Sequence, residues 1–543
     1  MNRAARRLSR RRIGGLAGMS LVATTGLLGV YLGNPRMPRA YAATTCTVTT
    51  SADSGVGSLR QALLDHDAVD SDCSTIDFAA DISTITLSSN LPTVTGSSLT
   101  ITGPGSSALT VDLNSKSGIR MNNSTAGQTL SISGLILTGG NSAGYLGGAV
   151  YARHTNVTIS DVSFTNNTSG GLNGGAVAVF HGQLDVTNST FTSNTGGNGA
   201  ATWSSYGAVN ITGSTFTSNT SSGSGGAVSV TDAGQVNIAS SAFIGNSAPG
   251  DYNNGGAVGV SSNDANVSLN VSYSTFSGNH CGSDGGALFV SNMPATVTNS
   301  TFVGNWNTYG RAQGGAIGAQ NLTVNFTTFY GNSTNNSSYP GTIDASETYT
   351  LSNSIVHQTD TGLALGGGGG SSATFSFFNS SSALTNNSGA GLIFADTPGV
   401  APLNLGALAD NGGSTMTMLP GAGSPVIGAA NPASTTPALD QRGYTRSSPS
   451  SMGAVESNGV RPVADTSQLP PSWFQATMRA SSTEPCPSGS NPSWAAWPTQ
   501  GTGGWTCEKT TWWDVNKGVS GGWVTTPGLR SLKHHAPKAH LPR

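Results

Sequence analysis

Asn188-Ser189-Thr190-Phe191-Thr192-Ser193-Asn194 is followed, 25 residues on, by Gly213-Ser214-Thr215-Phe216-Thr217-Ser218-Asn219. The phenylalanine returns at Phe164, Phe191, Phe216, Phe243, Phe276, Phe302 and Phe329, in steps of 27, 25, 27, 33, 26 and 27 residues. Three residues after each stands an asparagine: Asn167, Asn194, Asn219, Asn246, Asn279, Asn305 and Asn332. A disordered chain has no reason to hold two residue types in register, so the Gly-, Ser-, Thr- and Asn-rich composition marks a repeat protein.

Five residues before each phenylalanine stand Ile159, Val186, Ile211, Ile238, Val271, Val297 and Val324. Seven before stand Val157, Leu184, Val209, Val236, Leu269, Ala295 and Leu322, with a polar residue always between the two rows. This alternation is the mark of a strand with one buried face. The units also carry Gly-Gly-Ala followed by an apolar residue, as at Gly174-Gly175-Ala176-Val177 and Gly225-Gly226-Ala227-Val228, with Asn198-Gly199-Ala200-Ala201 as a degenerate copy; this reads as a corner leading into another strand. Two strand signals and several turns within about 27 residues suit one coil of a parallel β-helix, with equivalent strands about 4.8 Å apart along the axis. That geometry predicts a phenylalanine stack inside and an asparagine ladder at a turn. Ankyrin, TPR and HEAT repeats need a helical period that is absent, and a propeller blade needs about 40 residues.

Working outward, only 9 % of the 543 residues are charged. The first 42 hold eight arginines and no acid around an apolar run from Ile13 to Gly33, and end in Ala40-Tyr41-Ala42. This reads as an export signal with cleavage before Ala43; uncleaved, the run is the one membrane contact expected. Removing the signal leaves 15 bases against 25 acids, a formal charge of −10, which excludes a general affinity for nucleic acid. In an exported chain the cysteines favour disulfides, Cys46–Cys73 and Cys486–Cys507, with Cys281 left as a buried thiol. The expected organisation is a signal (1–42), an N-terminal cap (43–95), the β-helix (96–400), a closing segment (401–457), a linker (458–484) and a Trp-rich module with a basic tail (485–543). In the cap, Ser58 is placed to start a short helix through Leu59, Ala62 and Leu63.

The run Gly57-Ser58-Leu59-Arg60-Gln61-Ala62-Leu63, with the Gly-Gly-Ala and Ser-Thr-Phe repeats, resembles secreted right-handed parallel β-helix proteins of the pectin-lyase-like superfamily. It is similar to bacterial members with a C-S-L-R-E-A-type N-terminus, although Gly57 and Gln61 replace that motif's cysteine and glutamate. The repeats resemble those of polymorphic outer-membrane proteins. Leu405-Gly406-Ala407-Leu408, Gly423-Ser424-Pro425-Val426-Ile427-Gly428, Asp440-Gln441-Arg442-Gly443 and Met452-Gly453-Ala454-Val455-Glu456 resemble the choice-of-anchor Q domain that often ends such helices. The resemblance implies an all-β solenoid. Among its relatives are polysaccharide lyases and hydrolases as well as surface proteins.

A lyase needs a base near the α-carbon and a cation, such as calcium, held by clustered carboxylates. From Gly140 to Val400 the chain has no lysine and only Arg153 and Arg311. A glycosidase needs two carboxylates roughly 5 to 10 Å apart. Asp161 and Asp185 are the nearest approach in the regular strands, with backbones about 11 Å apart by rung and residue spacing; Asp251, Asp264 and Asp284 lie in longer turns. His154 and His181 share a register and are expected to stack, with no third ligand to make a metal site. No cofactor is expected. The reading favoured is therefore an exported, non-enzymatic β-helix that binds an extracellular polysaccharide or wall polymer; the alternatives are a polysaccharide lyase or glycoside hydrolase with its site in the irregular turns, and a purely structural surface spacer. Its candidate contacts are Tyr252, Trp306 and Tyr309 in the turns and Trp494, Trp497 and Trp505 in the terminal module, and the longest interruption, between Phe243 and Phe276, is where function is expected.

Overall fold

Val177–Phe180, Leu184–Thr187, Thr190–Thr192 and Thr195–Gly196 make one coil of four short strands, and the coil recurs along the chain. The computed structural model describes residues 44–461, apart from 69–72, 233, 265, 311, 359–361, 385–388 and 435, together with the backbone of Lys509–Asp514 and Val519–Trp523. It is an all-β parallel solenoid of about 11 turns. Each strand pairs in parallel with its equivalent in the next coil: Val177 opposite Thr202, Leu184 opposite Val209, Phe191 opposite Phe216 and Thr195 opposite Thr220. The fourth strands form a separate six-stranded sheet ending at Ser333–Thr334.

The phenylalanines do form an internal stack. From Phe164 to Phe302 successive rings lie 4.7–4.8 Å apart and almost parallel, every one fully buried. Beside them the asparagines form the expected ladder. Asn194 donates its side-chain amide to the Asn219 oxygen (3.0 Å) and to the Phe164 carbonyl (3.1 Å), and its backbone N–H to the same Asn219 oxygen (3.0 Å). The pattern repeats through Asn332, so each of these fully buried amides is satisfied, as burial of a polar group requires. The serine of the phrase makes a second ladder: Ser189 Oγ donates to the Thr187 carbonyl (2.8 Å) and accepts the N–H of Val162 (3.2 Å).

Corners between strands are made by left-handed residues. Gly174 (φ +68°) starts the Gly-Gly-Ala corner, and a Cβ on the following Gly175 would collide with the carbonyl oxygens of Thr195 and Ala200. Between second and third strands the corner is Asp161, Asn188, Gly213, Ser240, Tyr273, Asn299, Phe326 and Asn353, all at φ 45–60°. Asp161 is thus a corner residue between paired positions: Ser160 and Val162 pair with Ser133 and Leu135 in unbroken register, and Asp161 stacks over the equivalent left-handed corner Gly134 (φ +65°).

At the N-terminal end, Ser58 accepts the N–H of Gln61 and caps the helix Leu59–His66. Arg60 pairs with Asp53 at 2.7 Å and donates to the Ser89 and Asn90 carbonyls, tying the helix to the first coils. Cys46 and Cys73 are disulfide-bonded, and Cys281 is a buried free thiol.

The closing segment, residues 401–442 and 448–457, runs back along the flank of the solenoid as a strap. Gln441 inserts between coils: its amide donates to Thr275 Oγ1 (2.8 Å) and Thr415 Oγ1 (2.9 Å), and its oxygen accepts from Thr301 Oγ1 (2.6 Å). Asn299 donates to the Leu439 carbonyl, Asn353 accepts from Asn431 N–H, and Ala454 N–H donates to Thr328 Oγ1. Phe326, Ile355 and Phe377 form an apolar cluster with Val426, Ala430 and Met452. Its motif residues hold the segment's own shape: buried Asp440 and Arg442 pair at 2.8 Å, and Glu456 accepts from Ser451. The chain divides into two units, the second comprising residues 443–447 and 458–543, of which the described part includes an antiparallel pair, Lys509–Asp514 with Val519–Trp523.

Candidate functional site

In the fourth-strand sheet each two-residue strand places one side chain inward and one outward. Inward lie Ala248, Cys281 and Asn307, all buried; outward lie Ser247, His280 and Trp306 in successive coils. Burial pushes the Cys281 thiol up, and its Sγ donates to the Ser283 carbonyl at 3.0 Å, so it is an inert interior group. The His280 ring stacks on Trp306 at 4.6 Å and 8°, and His280 Nε2 lies 2.9 Å from Ser247 Oγ.

The turn after this strand varies in length, and that variation builds the surface. Tyr309 N–H donates to the Gly282 carbonyl (2.7 Å), and Gly282 itself packs so closely on Gly250 and Asp251 that a side chain could not be accommodated. The short middle turn leaves a gap, across which the rings of Tyr252 and Tyr309 meet at 5.6 Å. A hydrogen bond to Tyr309, with a smaller effect from the Asp251 charge, raises the Tyr252 phenol above its ordinary value. Tyr252 is 78 % and Trp306 39 % exposed, on a molecule whose phenylalanines are otherwise mostly interior. Three of the aromatic residues expected to contact a ligand therefore stand on one edge within a few coils. Trp494, Trp497, Trp505 and the Cys486–Cys507 pairing lie outside the described residues, as do the export signal and the linker beyond residue 461.

The candidate carboxylates do not converge. Asp161 accepts from Ser106 Oγ at 2.7 Å on the corner between second and third strands. Asp185 accepts from Gln183 and from Asn210 (2.7 Å) at the head of an amide row continued by Asn237 and Asn270. Asp251 is exposed beside Tyr252. Asp264, in the other half of the long interruption, accepts the N–H of Asn266 in a turn between first and second strands.

Asp284 differs. It accepts the Gln313 N–H at 2.8 Å, and burial raises its carboxyl. The Gln313 side-chain amide, oriented nitrogen-first, donates to both oxygens of Asp344 at 2.9 and 3.0 Å. Burial, with the Asp284 charge, pushes Asp344 up to about 6. Asp344 was not a sequence candidate, because it sits 60 residues from Asp284 and only the stacking of coils brings both to one glutamine. Among the described residues no three His, Cys, Asp or Glu side chains group to hold a metal ion. His154 and His181 stack at 5.0 Å and 9°, with Tyr206 stacked next at 4.5 Å.

Residues 213–231 and 273–291 are similar to the Chlamydia polymorphic membrane protein repeat. Each matched segment begins on the left-handed corner before the third strand, crosses the fourth, and ends with the first strand of the next coil. No curated protein matches the chain. No helix of the described residues is long and apolar enough to cross a membrane.

Proposed function

We propose that the protein is an exported, surface-displayed binding protein of the adhesin type, and that the ledge of Tyr252, Trp306 and Tyr309 receives pyranose rings of an extracellular polysaccharide. The observation that carries this reading is the exposure of Tyr252 and Trp306 at one edge of a regular rod, with the half-buried Tyr309 against Tyr252, where an aromatic face can stack on a sugar and a phenol can hydrogen-bond to its hydroxyls. The likeness of two coils to a repeat of membrane proteins supports display outside the cell. The test is retention of the protein on a panel of insoluble polysaccharides. Tyr252→Ala and Trp306→Ala should each weaken retention about tenfold or more, the order expected for losing one aromatic stacking contact; unchanged retention in both, or no retention of the native chain, rejects the ledge.

A hydrolytic reading is favoured by one observation, the Asp284–Gln313–Asp344 arrangement with its raised carboxyls. Release of reducing ends from a polysaccharide, abolished by Asp284→Asn and by Asp344→Asn, would establish it in place of binding alone.

A further inference from the structure

On the outer face of the first-strand sheet, coils near the N-terminal end carry a different set of side chains. Register places Arg120 opposite Tyr151, Tyr151 opposite Ala178 and Ala178 opposite Trp203; in the neighbouring row Asn122 is opposite Arg153, and Arg153 opposite Phe180. Around the following corner come His154, His181 and Tyr206, one ring upon the next. Phe180 meets His181 edge-on at 4.3 Å and lies parallel to Trp203 at 6.2 Å, so guanidinium, imidazole and aromatic groups share one continuous patch.

The two arginines are the unusual part. The Arg120 guanidinium lies 4.6 Å from the centre of the Tyr151 ring and 5.0 Å from that of Tyr145, and donates one N–H to the Leu146 carbonyl at 3.2 Å. Arg153 is exposed. Neither forms an ion pair among the described residues, whereas Arg60 and Arg442 both do. The nearby acid, Asp232, bonds the Tyr206 hydroxyl and accepts from Asn263 at 2.7 Å. Arg153 stands one coil up and two residues along from Arg120, so their backbones are roughly 8 Å apart by strand and rung spacing. Arginine held between tyrosine faces keeps its position while most of its donors stay uncommitted, which suits a planar acid group presented from outside.

We propose that this patch is a second glycan-binding surface, specific for an acidic polysaccharide: Arg120 and Arg153 pair with carboxylate or sulfate groups, while Tyr145, Phe180 and Tyr206 contact the sugar rings. Charge complementarity is local, because the chain without its signal carries a net −10, so a polyanion is not drawn in by the whole molecule and depends on these two residues. The surface goes beyond the ledge of Tyr252 and Trp306 and does not require that ledge to bind.

Affinity electrophoresis of the full chain through gels containing polygalacturonate, heparin or dextran, across a salt series, tests it, with duplex DNA as a non-sugar polyanion. Arg153→Gln is expected to weaken binding of an acidic polysaccharide about tenfold, the loss of one charge-assisted contact, and Arg120→Gln/Arg153→Gln to abolish it and its salt dependence, with dextran retention unchanged. Preference for polygalacturonate or for heparin identifies the acid group as carboxylate or sulfate. The exposed Arg153 carries the test even if Arg120→Gln disturbs the tyrosines. Binding by the double variant equal to that of the native chain, absence of acidic-glycan binding by the native chain, or equal retardation by DNA would each overturn the proposal. Tyr252→Ala should leave the Arg153-dependent retardation intact, so failure of the ledge and failure of this surface read out separately.

Discussion

The same Ser-Thr-Phe phrase sits in two environments. At Thr190 and Thr215 the threonine before the phenylalanine meets solvent, but at Thr275, Thr301 and Thr328 it is buried beneath the closing segment. The adjoining corner changes with it. In the open coils it is Asp161, Asn188, Gly213 and Ser240, residues that occupy left-handed backbone at low cost or are small. Under the strap it includes Tyr273 (φ +51°), Phe326 (φ +49°) and Phe375 (φ +44°), where a bulky side chain is strained. Phe326 is 1 % exposed against Val426 and Met452, so burial against the strap offsets the backbone cost. Stability of the open coils is local to the stack, whereas the covered coils also draw on chain about 140 residues away.

The largest effect expected is common to both regions. Phe216→Ala leaves a ring-sized void in the stack and should cost about 3–5 kcal/mol. Asn246→Ala should cost several kcal/mol: it removes donors to Phe216 and Asn279 and an acceptor for Asn219, leaving buried groups unpaired at about 1–3 kcal/mol each. Urea unfolding checks both. If either cost less than about 1 kcal/mol, the stack and ladder would not be what holds the coils.

Gln441→Ala separates the regions. It strips partners from Thr275, Thr301 and Thr415, so we expect a loss of about 2–3 kcal/mol by the same cost per orphaned group. Hydrogen exchange should quicken at Thr275 and Thr301 and stay unchanged at Thr190 and Thr215; uniform quickening would contradict a strap confined to one flank.

Acid should act oppositely on the two ends. Although burial opposes the charge, hydrogen bonds from Ser88 and Arg60 hold Asp53 at about 2, below its ordinary 3.8. Its contribution is present above the unfolded value and lost as pH falls through about 2. Asp344, raised by burial and Asp284 to about 6, binds its proton more tightly in the folded chain. Its contribution is complete below 3.8 and lost as pH rises through about 6. Acidifying from neutral to about pH 4.5, between those values, should raise the protection of amides around Gly318 and Asp344, measured relative to the intrinsic exchange rate at each pH, without lowering protection in the cap, and Asp344→Asn should remove that rise.

The smallest effect is the most direct comparison. Thr190→Val, exposed, should stay within about 0.5 kcal/mol, while Thr301→Val, which breaks the bond to Gln441, should cost about 1–2 kcal/mol. Equal costs would erase the distinction.

Most of the coil was legible because a solenoid repeats its spacing in sequence. The inward rows, the ring stack and the Asn ladder follow from residues aligned to Phe191; the Cys46–Cys73 bond and the Ser58 cap were legible separately, from cysteine pairing and from helix-capping chemistry. The strap was not, since Asp440-Gln441-Arg442-Gly443 shows no period and its partners lie on other coils. A signal was present: from Tyr273 onward aromatic residues alternate with asparagine at the corner (Tyr273, Asn299, Phe326, Asn353, Phe375), but it is readable only once that position is known to be a left-handed corner. The interruption after Phe243 was informative in part, since its residues divide between two edges, Tyr252 reaching Tyr309 and Asp264 closing a turn elsewhere.

The sequence alone determined which residues stack, because each return of the motif becomes one rung along the axis whatever the length of the turn between, so that steps of 27 and 33 residues both place the rings 4.7–4.8 Å apart. It could not determine which faces stay open, which turns meet across a gap, or that Asp284 and Asp344 share one glutamine. Those contacts depend on how far each irregular turn reaches and on where the returning segment lies. They are set by packing between coils, and only the tertiary structure decided them.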